Sequence, residues 1–287
     1  MHLLIPHAAT LDEAARHAFS HLNLPHLAAH LARFSAADTW GSDEFSPRPP
    51  HQLALAALRG EARPAAAAWA VGAGPELAWA LLTPVHLAVG TDGVDVLPPA
   101  ALQLSESDAA RLVAVLKPLW PESEGWHWRL LDATHWALGH ATALDGLDAA
   151  SIERAAGRPI EPWLPESRTL RRWQNEAQML LHAHPLNEAR ELPVNSVWIG
   201  DIGRANGQPC DVTVDARLTE PLLSGDLAAW AEAWQRLDAG PLAQPLSSLT
   251  LCGERFATRF TAQPLSFFDK FKRRFQAPDV ATVLGAL

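Results

Sequence analysis

Tyrosine is missing altogether from these 287 residues, and cysteine and methionine occur only twice each. Cys210 and Cys252 stand far apart with no neighbouring partner, which excludes a disulfide framework and a CxxC metal knuckle and fits a reducing compartment. No stretch approaches the roughly 18 consecutive apolar residues that would span a bilayer. The first nine residues carry no basic region and only a short apolar run before Pro6, so no secretory signal is expected and the expected address is the cytoplasm. Charge is sparse too. Asp, Glu, Lys and Arg make up 19% of the chain, and the net charge of -9 repels nucleic acid and anionic membranes, so neither is expected as a partner.

Apolar material, in contrast, is plentiful at 48% of the residues, enough to bury one or two globular cores. Twelve Trp are scattered without a period and read as core filler with a few pocket walls. Residues 3–6 predict a buried strand, and helical periodicity follows at 11–22 and 27–34, the second led in by Asn23 and Pro25. Residues 36–50 are polar, with Gly41, Ser42 and three prolines, and read as a loop before a helix at 51–58. The alanine run 65–68 reads as helical. The apolar segment 77–89 and, after Thr91-Asp92-Gly93, the run 94–97 form a predicted hairpin. Ser105 is placed to cap a helix reaching about residue 119, because Asp108 stands three residues on and Leu112, Val113 and Leu116 share one face. Further strands are expected at 126–131, 135–140 and 194–199, helices at 167–183 and 226–237, a closing hairpin at 249–252 and 255–261, and a short helix at 267–275. Strands alternating with helices make the expected class α/β.

Two stretches go beyond a generic α/β pattern. The first runs Gln174-Asn175-Glu176, then His184-Pro185-Leu186-Asn187-Glu188-Ala189-Arg190, then Leu192-Pro193-Val194-Asn195, an apolar strand, Gly200 and Gly203. In that order these residues resemble the signature of archaeal-type cofactor-independent phosphoglycerate mutases, where an Asn-Glu helix leads to His-Pro-x-Asn-x-x-Arg, Pro-x-Asn, an apolar strand and Gly-x-Gly. The second, Glu76-Leu77-Ala78-Trp79, Thr91-Asp92-Gly93, Leu104-Ser105-Glu106 and the strand-like segments near 126–140, is similar in order to the domain which that family inserts in an alkaline-phosphatase-type fold. The resemblance implies a degenerate fold of that kind. Residues 1–75 and 204–287 would form a shortened alkaline-phosphatase-like layer, and 76–203 a mutase-like middle domain.

The ends of the chain depart from the family. Its members carry an Asp on the first strand, a Ser or Thr nucleophile on a following helix, and Asp and His metal ligands in the C-terminal half. Here Leu3-Leu4-Ile5-Pro6-His7 offers His7 and no carboxylate, although Leu24-Pro25-His26-Leu27 resembles the family's Pro-Asn-Leu helix start. Leu249-Thr250-Leu251-Cys252-Gly253 is followed by Glu254-Arg255 where the superfamily often has Asp-His, and a guanidinium has no lone pair to give a metal. Degenerate ends around a preserved middle resemble the RpfE-type regulatory proteins. That likeness implies a non-catalytic protein with no metal and no cofactor, holding a small phosphorylated or carboxylated metabolite.

The candidate ligand-binding residues are His184, Asn187, Arg190 and Asn195, a cation, two amides and an imidazole gathered around one helix end, with His86 and Asp92 as a second group. The competing reading of the same residues is structural, since Asn in a tight Pro-containing loop commonly satisfies backbone groups. Two other functions stay open. One is a working mutase or metal-dependent phosphatase drawing on the thirteen histidines with Asp201 or Asp211; His17 with His21, and His26 with His30, have the i,i+4 spacing that places two imidazoles on one helix face. The other is an interaction module acting through Phe267-Phe268-Asp269-Lys270-Phe271-Lys272-Arg273-Arg274-Phe275.

Overall fold

The computed structural model describes residues 1–91, 93–182, 184–188, 190–262 and 279–287. In chain order, β1 (His2–Ile5) leads to α1 (Glu13–Ser20), α2 (Pro25–Arg33), β2 (Phe34–Gly41) and α3 (Pro50–Arg59). Then come α4 (Ala66–Val71), β3 (Ala78–Val85), the hairpin β4 (Leu87–Val89) and β5 (Val94–Val96), α5 (Glu106–Leu116), β6 (His127–Leu130), β7 (Trp136–His140), α6 (Ile152–Ala155), β8 (Arg158–Pro159), α7 (Arg168–His182) and β9 (Ser196–Gly203). The chain closes with β10 (Thr213–Val214), α8 (Thr219–Leu223), α9 (Leu227–Ala239), β11 (Ser248–Cys252), β12 (Phe256–Ala262) and α10 (Val280–Gly285). This is a mixed α/β protein. Among the described residues no helix is long and apolar enough to cross a membrane.

The chain divides into two compact units, Met1–Leu58 with Pro209–Leu287, and Arg59–Gln208. In the terminal unit the sheet order is β10-β1-β11-β12-β2, with β1 parallel to both β10 and β11 and the remaining pairs antiparallel. Leu3, Ile5, Leu249 and Leu251 are fully buried in one core with Leu27, Leu31, Trp230 and Trp234. The helical residues of that set recur at the spacing that gives a helix one apolar stripe. Asp226 starts α9 by accepting from the Ala229 N–H at 2.9 Å. Polar support crosses the unit as well: buried Asp238 of α9 accepts from the Leu27 N–H at 2.8 Å and from His26 Nδ1 at 3.0 Å, capping α2, whose own Leu24 has no side chain to do so.

The middle unit holds a four-stranded sheet, β6-β7-β3-β9, and a three-stranded one, β4-β5-β8. Leu170, Trp173, Ala177 and Leu181 form the buried face of α7 and meet Ala109, Leu112, Val113 and Leu116 of α5 in one core. Ser105 caps α5 as its spacing predicts, accepting from the Asp108 N–H at 3.1 Å. Trp120 stands edge-on to Trp126, Trp128 and Trp173, with ring centroids 5.8–6.4 Å apart. Gly139 makes this sheet possible at one point: a Cβ there would lie 2.8 Å from the Trp79 ring.

Three expectations change. Residues 36–41, expected in a loop, continue strand β2 from Phe34, because β12 supplies the partner: Arg259 pairs with Asp38 at 2.8 Å and Thr258 with Thr39 at 3.2 Å across the two strands. Residues 59–75 go with the middle unit, not the terminal one, because Ala67 and Ala68 of α4 pack with Trp79 and Ala205. The strand expected at 194–199 runs instead from Ser196 to Gly203, passing Asp201 with φ 54 and a register shift opposite Trp79 and Leu81. The hairpin turn residue Asp92 and the segment 267–275 lie outside the described residues.

Candidate functional site

The motif residues after α7 sit together at the β3–β9 edge of the middle unit. Asn187 lies in a 3-10 turn (Pro185–Asn187) that His184 starts, its Nδ1 accepting from the Leu186 N–H at 3.2 Å. Asn187 Nδ2 donates to the carbonyls of Leu181 at 2.8 Å and Val194 at 2.9 Å, and its Oδ1 accepts from the Val194 N–H at 2.8 Å. Asn195 forms the same kind of bridge to Leu87, accepting from its N–H at 2.8 Å and donating to its carbonyl at 2.9 Å. His86 Nδ1 donates to the Pro193 carbonyl at 2.8 Å, which fixes the proton on that nitrogen. Arg190 donates to the carbonyls of Leu192 and Leu102, with Asp108 3.9 Å from its Nη1. Five of the six candidates therefore gather around one loop, with their polar atoms directed mainly at backbone, and Asp92 lies outside the described residues.

A second place follows from the sheet of the terminal unit, where β10, β1 and β11 run parallel and end together. In such sheets the crevice beyond the carboxyl ends is where ligands sit. His7 follows β1 in a left-handed conformation, φ 54, with its carbonyl accepting from Trp230 Nε1 at 3.1 Å. The His51 ring, at the start of α3, lies 5.7 Å from the His7 ring. Asp215 follows β10, and Arg217 grips both of its oxygens at 2.8 Å. Beyond β11, Glu254 Oε2 accepts from Thr10 Oγ1 at 3.1 Å and the Leu11 N–H at 3.0 Å, tying the β11–β12 turn to the segment after β1.

No family model matches the sequence, and no curated protein matches it. Among solved structures, a cofactor-independent phosphoglycerate mutase from Thermoplasma acidophilum is similar with a TM-score of 0.37 and 13% identity, covering 92% of this chain and 90% of that one.

The middle unit also contains a cleft of about 460 Å³. Glu61, Arg63, Asp145, Arg204 and Asn206 supply its polar lining. Arg204 is locked into the wall: it bonds Asp145 at 2.7 Å and the carbonyls of Pro75, Glu76 and Ala141. Glu61 Oε1 takes Trp69 Nε1 at 2.9 Å and the N–H of Asn206 at 3.1 Å, while its Oε2 is buried with no hydrogen-bond partner among the described residues. Arg63, also in the lining, is two-thirds exposed and 2.9 Å from Asp148. These residues are spread over three loops, so no local spacing could have joined them. Of the acids named from sequence, Asp211 is exposed, whereas Asp201 is buried beside Ser151, which donates to it at 3.2 Å.

Proposed function

We propose that this chain is a non-catalytic, phosphoglycerate-mutase-like protein of the RpfE regulatory type, holding a small phosphorylated or carboxylated metabolite. The observation that carries the reading is the state of the acids at the parallel strand ends. Strand β1 carries no carboxylate and is followed by His7, Asp215 is occupied by the Arg217 fork, and Glu254 is occupied in holding the Thr10–Leu11 turn. Two metal ions and an activated nucleophile need open carboxylate and imidazole lone pairs at such a place to stabilise a transferring phosphoryl group. The order of the His-Pro-x-Asn-x-x-Arg and Pro-x-Asn residues supports the mutase likeness, and their bonds to backbone support a scaffold that keeps its shape without turnover.

On this reading the metabolite's acid group is taken by Arg63 in the lining of the middle-unit cleft, with Arg204 and Asn206 in the same lining. A melting experiment with 3-phosphoglycerate tests it. The melting temperature should rise with ligand concentration for the wild type, and the rise should shrink at least tenfold in apparent affinity for Arg63→Gln. Equal shifts in both proteins would move the ligand elsewhere.

A second reading, a metal-dependent mutase or phosphatase, is favoured by the closeness of His7 and His51 at the end of β1. The two readings part on turnover, since only the second requires it.

A further inference from the structure

We infer that His17 and His21 of α1 form a surface chelate for a borderline divalent cation of the zinc, nickel or copper kind. The two residues are one helical turn apart on the exposed face of α1, opposite buried Ala15 and Phe19. Their Nε2 atoms lie 3.3 Å apart, with the ring planes at 86°. A tetrahedral zinc with metal–nitrogen distances of about 2.0–2.1 Å holds two imidazole nitrogens about 3.3–3.4 Å from each other, so both ligand atoms already stand at chelating separation. In the free protein one Nε2–H donates to the other nitrogen. On metal binding that proton moves to the same ring's Nδ1, both rings stay neutral, and the two Nε2 lone pairs point at the ion.

The surroundings favour a cation there. His17 is in the last turn of α1 and His21 is its C-cap, so an ion between them lies at the negative end of the helix dipole. Glu13 lies a further turn back on the same face, at the i, i+4, i+8 spacing, and the net charge of -9 raises the local cation concentration. Water completes the coordination. The site is separate from the strand ends and needs no mutase chemistry.

Zinc titration of the full-length protein by calorimetry tests the inference, with His17→Gln, His21→Gln and the double variant as comparisons. Both positions are exposed, and unchanged melting of the metal-free variants establishes that they fold. The wild type should take up one more equivalent of zinc than the double variant, and each single variant should bind that equivalent at least tenfold more weakly. The same isotherm for wild type and double variant, or no zinc uptake by the wild type, would overturn it.

Discussion

Asn187 and Val194 are joined by a reciprocal pair of hydrogen bonds, Oδ1 accepting from the Val194 N–H at 2.8 Å and Nδ2 donating to the Val194 carbonyl at 2.9 Å. The side chain thereby replaces a strand neighbour just before β9 begins, while its bond to Leu181 ties the same point to the end of α7. Replacing Asn187 by Ala strips partners from three backbone groups at once, at a cost of about 2–3 kcal/mol. Urea unfolding should register that loss. A change within about 0.5 kcal/mol would mean that water replaces the amide without penalty.

Asp238 does for α2 what a local N-cap would ordinarily do. Asp238→Ala should lower stability by about 2 kcal/mol, because it leaves helix N–H groups unsatisfied in a buried setting. Asp238→Asn keeps one acceptor and should lose less. Equal losses for the two variants would show that the carboxylate charge, not the hydrogen bonds, is what matters.

Burial, with the Arg259 guanidinium second, holds His2 below its ordinary value of 6.5, and its Nε2 lies 2.8 Å from Thr250 Oγ1. The folded protein therefore keeps this ring neutral at a pH where the unfolded chain protonates it. Unfolding takes up a proton in that window, so the contribution is fully present above about pH 6.5 and is lost as the pH falls below it. Unfolding midpoints measured at about pH 7.5 and about pH 5.5 should differ less in His2→Gln than in the wild type. An unchanged difference would remove His2 from the account.

Burial also pushes the Cys252 thiol well above its ordinary value of 9.0, since the side chain is sealed between Leu4, Ala54 and Ala257. Thiolate is the reactive form, so a thiol reagent should label Cys210 in the native protein and reach Cys252 only in denaturant. Rapid native labelling of both would show that the β11 core opens readily.

Legibility in the sequence followed the range of the forces involved. The Ser105 cap and the apolar faces of α5 and α7 depend on neighbours three and four residues away, and spacing reveals them. Residues 36–41 of β2 are not legible as a strand because Asp38 and Thr39 look like surface residues until β12, some 220 positions on, supplies the opposite edge. Asp238 capping α2 and the Glu61–Arg204 cleft are hidden for the same reason. The motif residues of 184–195 are legible as a group because they are close in sequence. Their orientation was not legible: whether an Asn side chain faces a ligand or a carbonyl depends on where β3, β4 and α7 pass.

The proposed function requires that this chain does not interconvert phosphoglycerates. Interconversion of 3-phosphoglycerate and 2-phosphoglycerate, followed with purified protein and added manganese, tests it most directly. The account predicts no conversion above the protein-free control. Manganese-dependent conversion that disappears in His7→Gln would contradict it and place the chemistry at the end of β1.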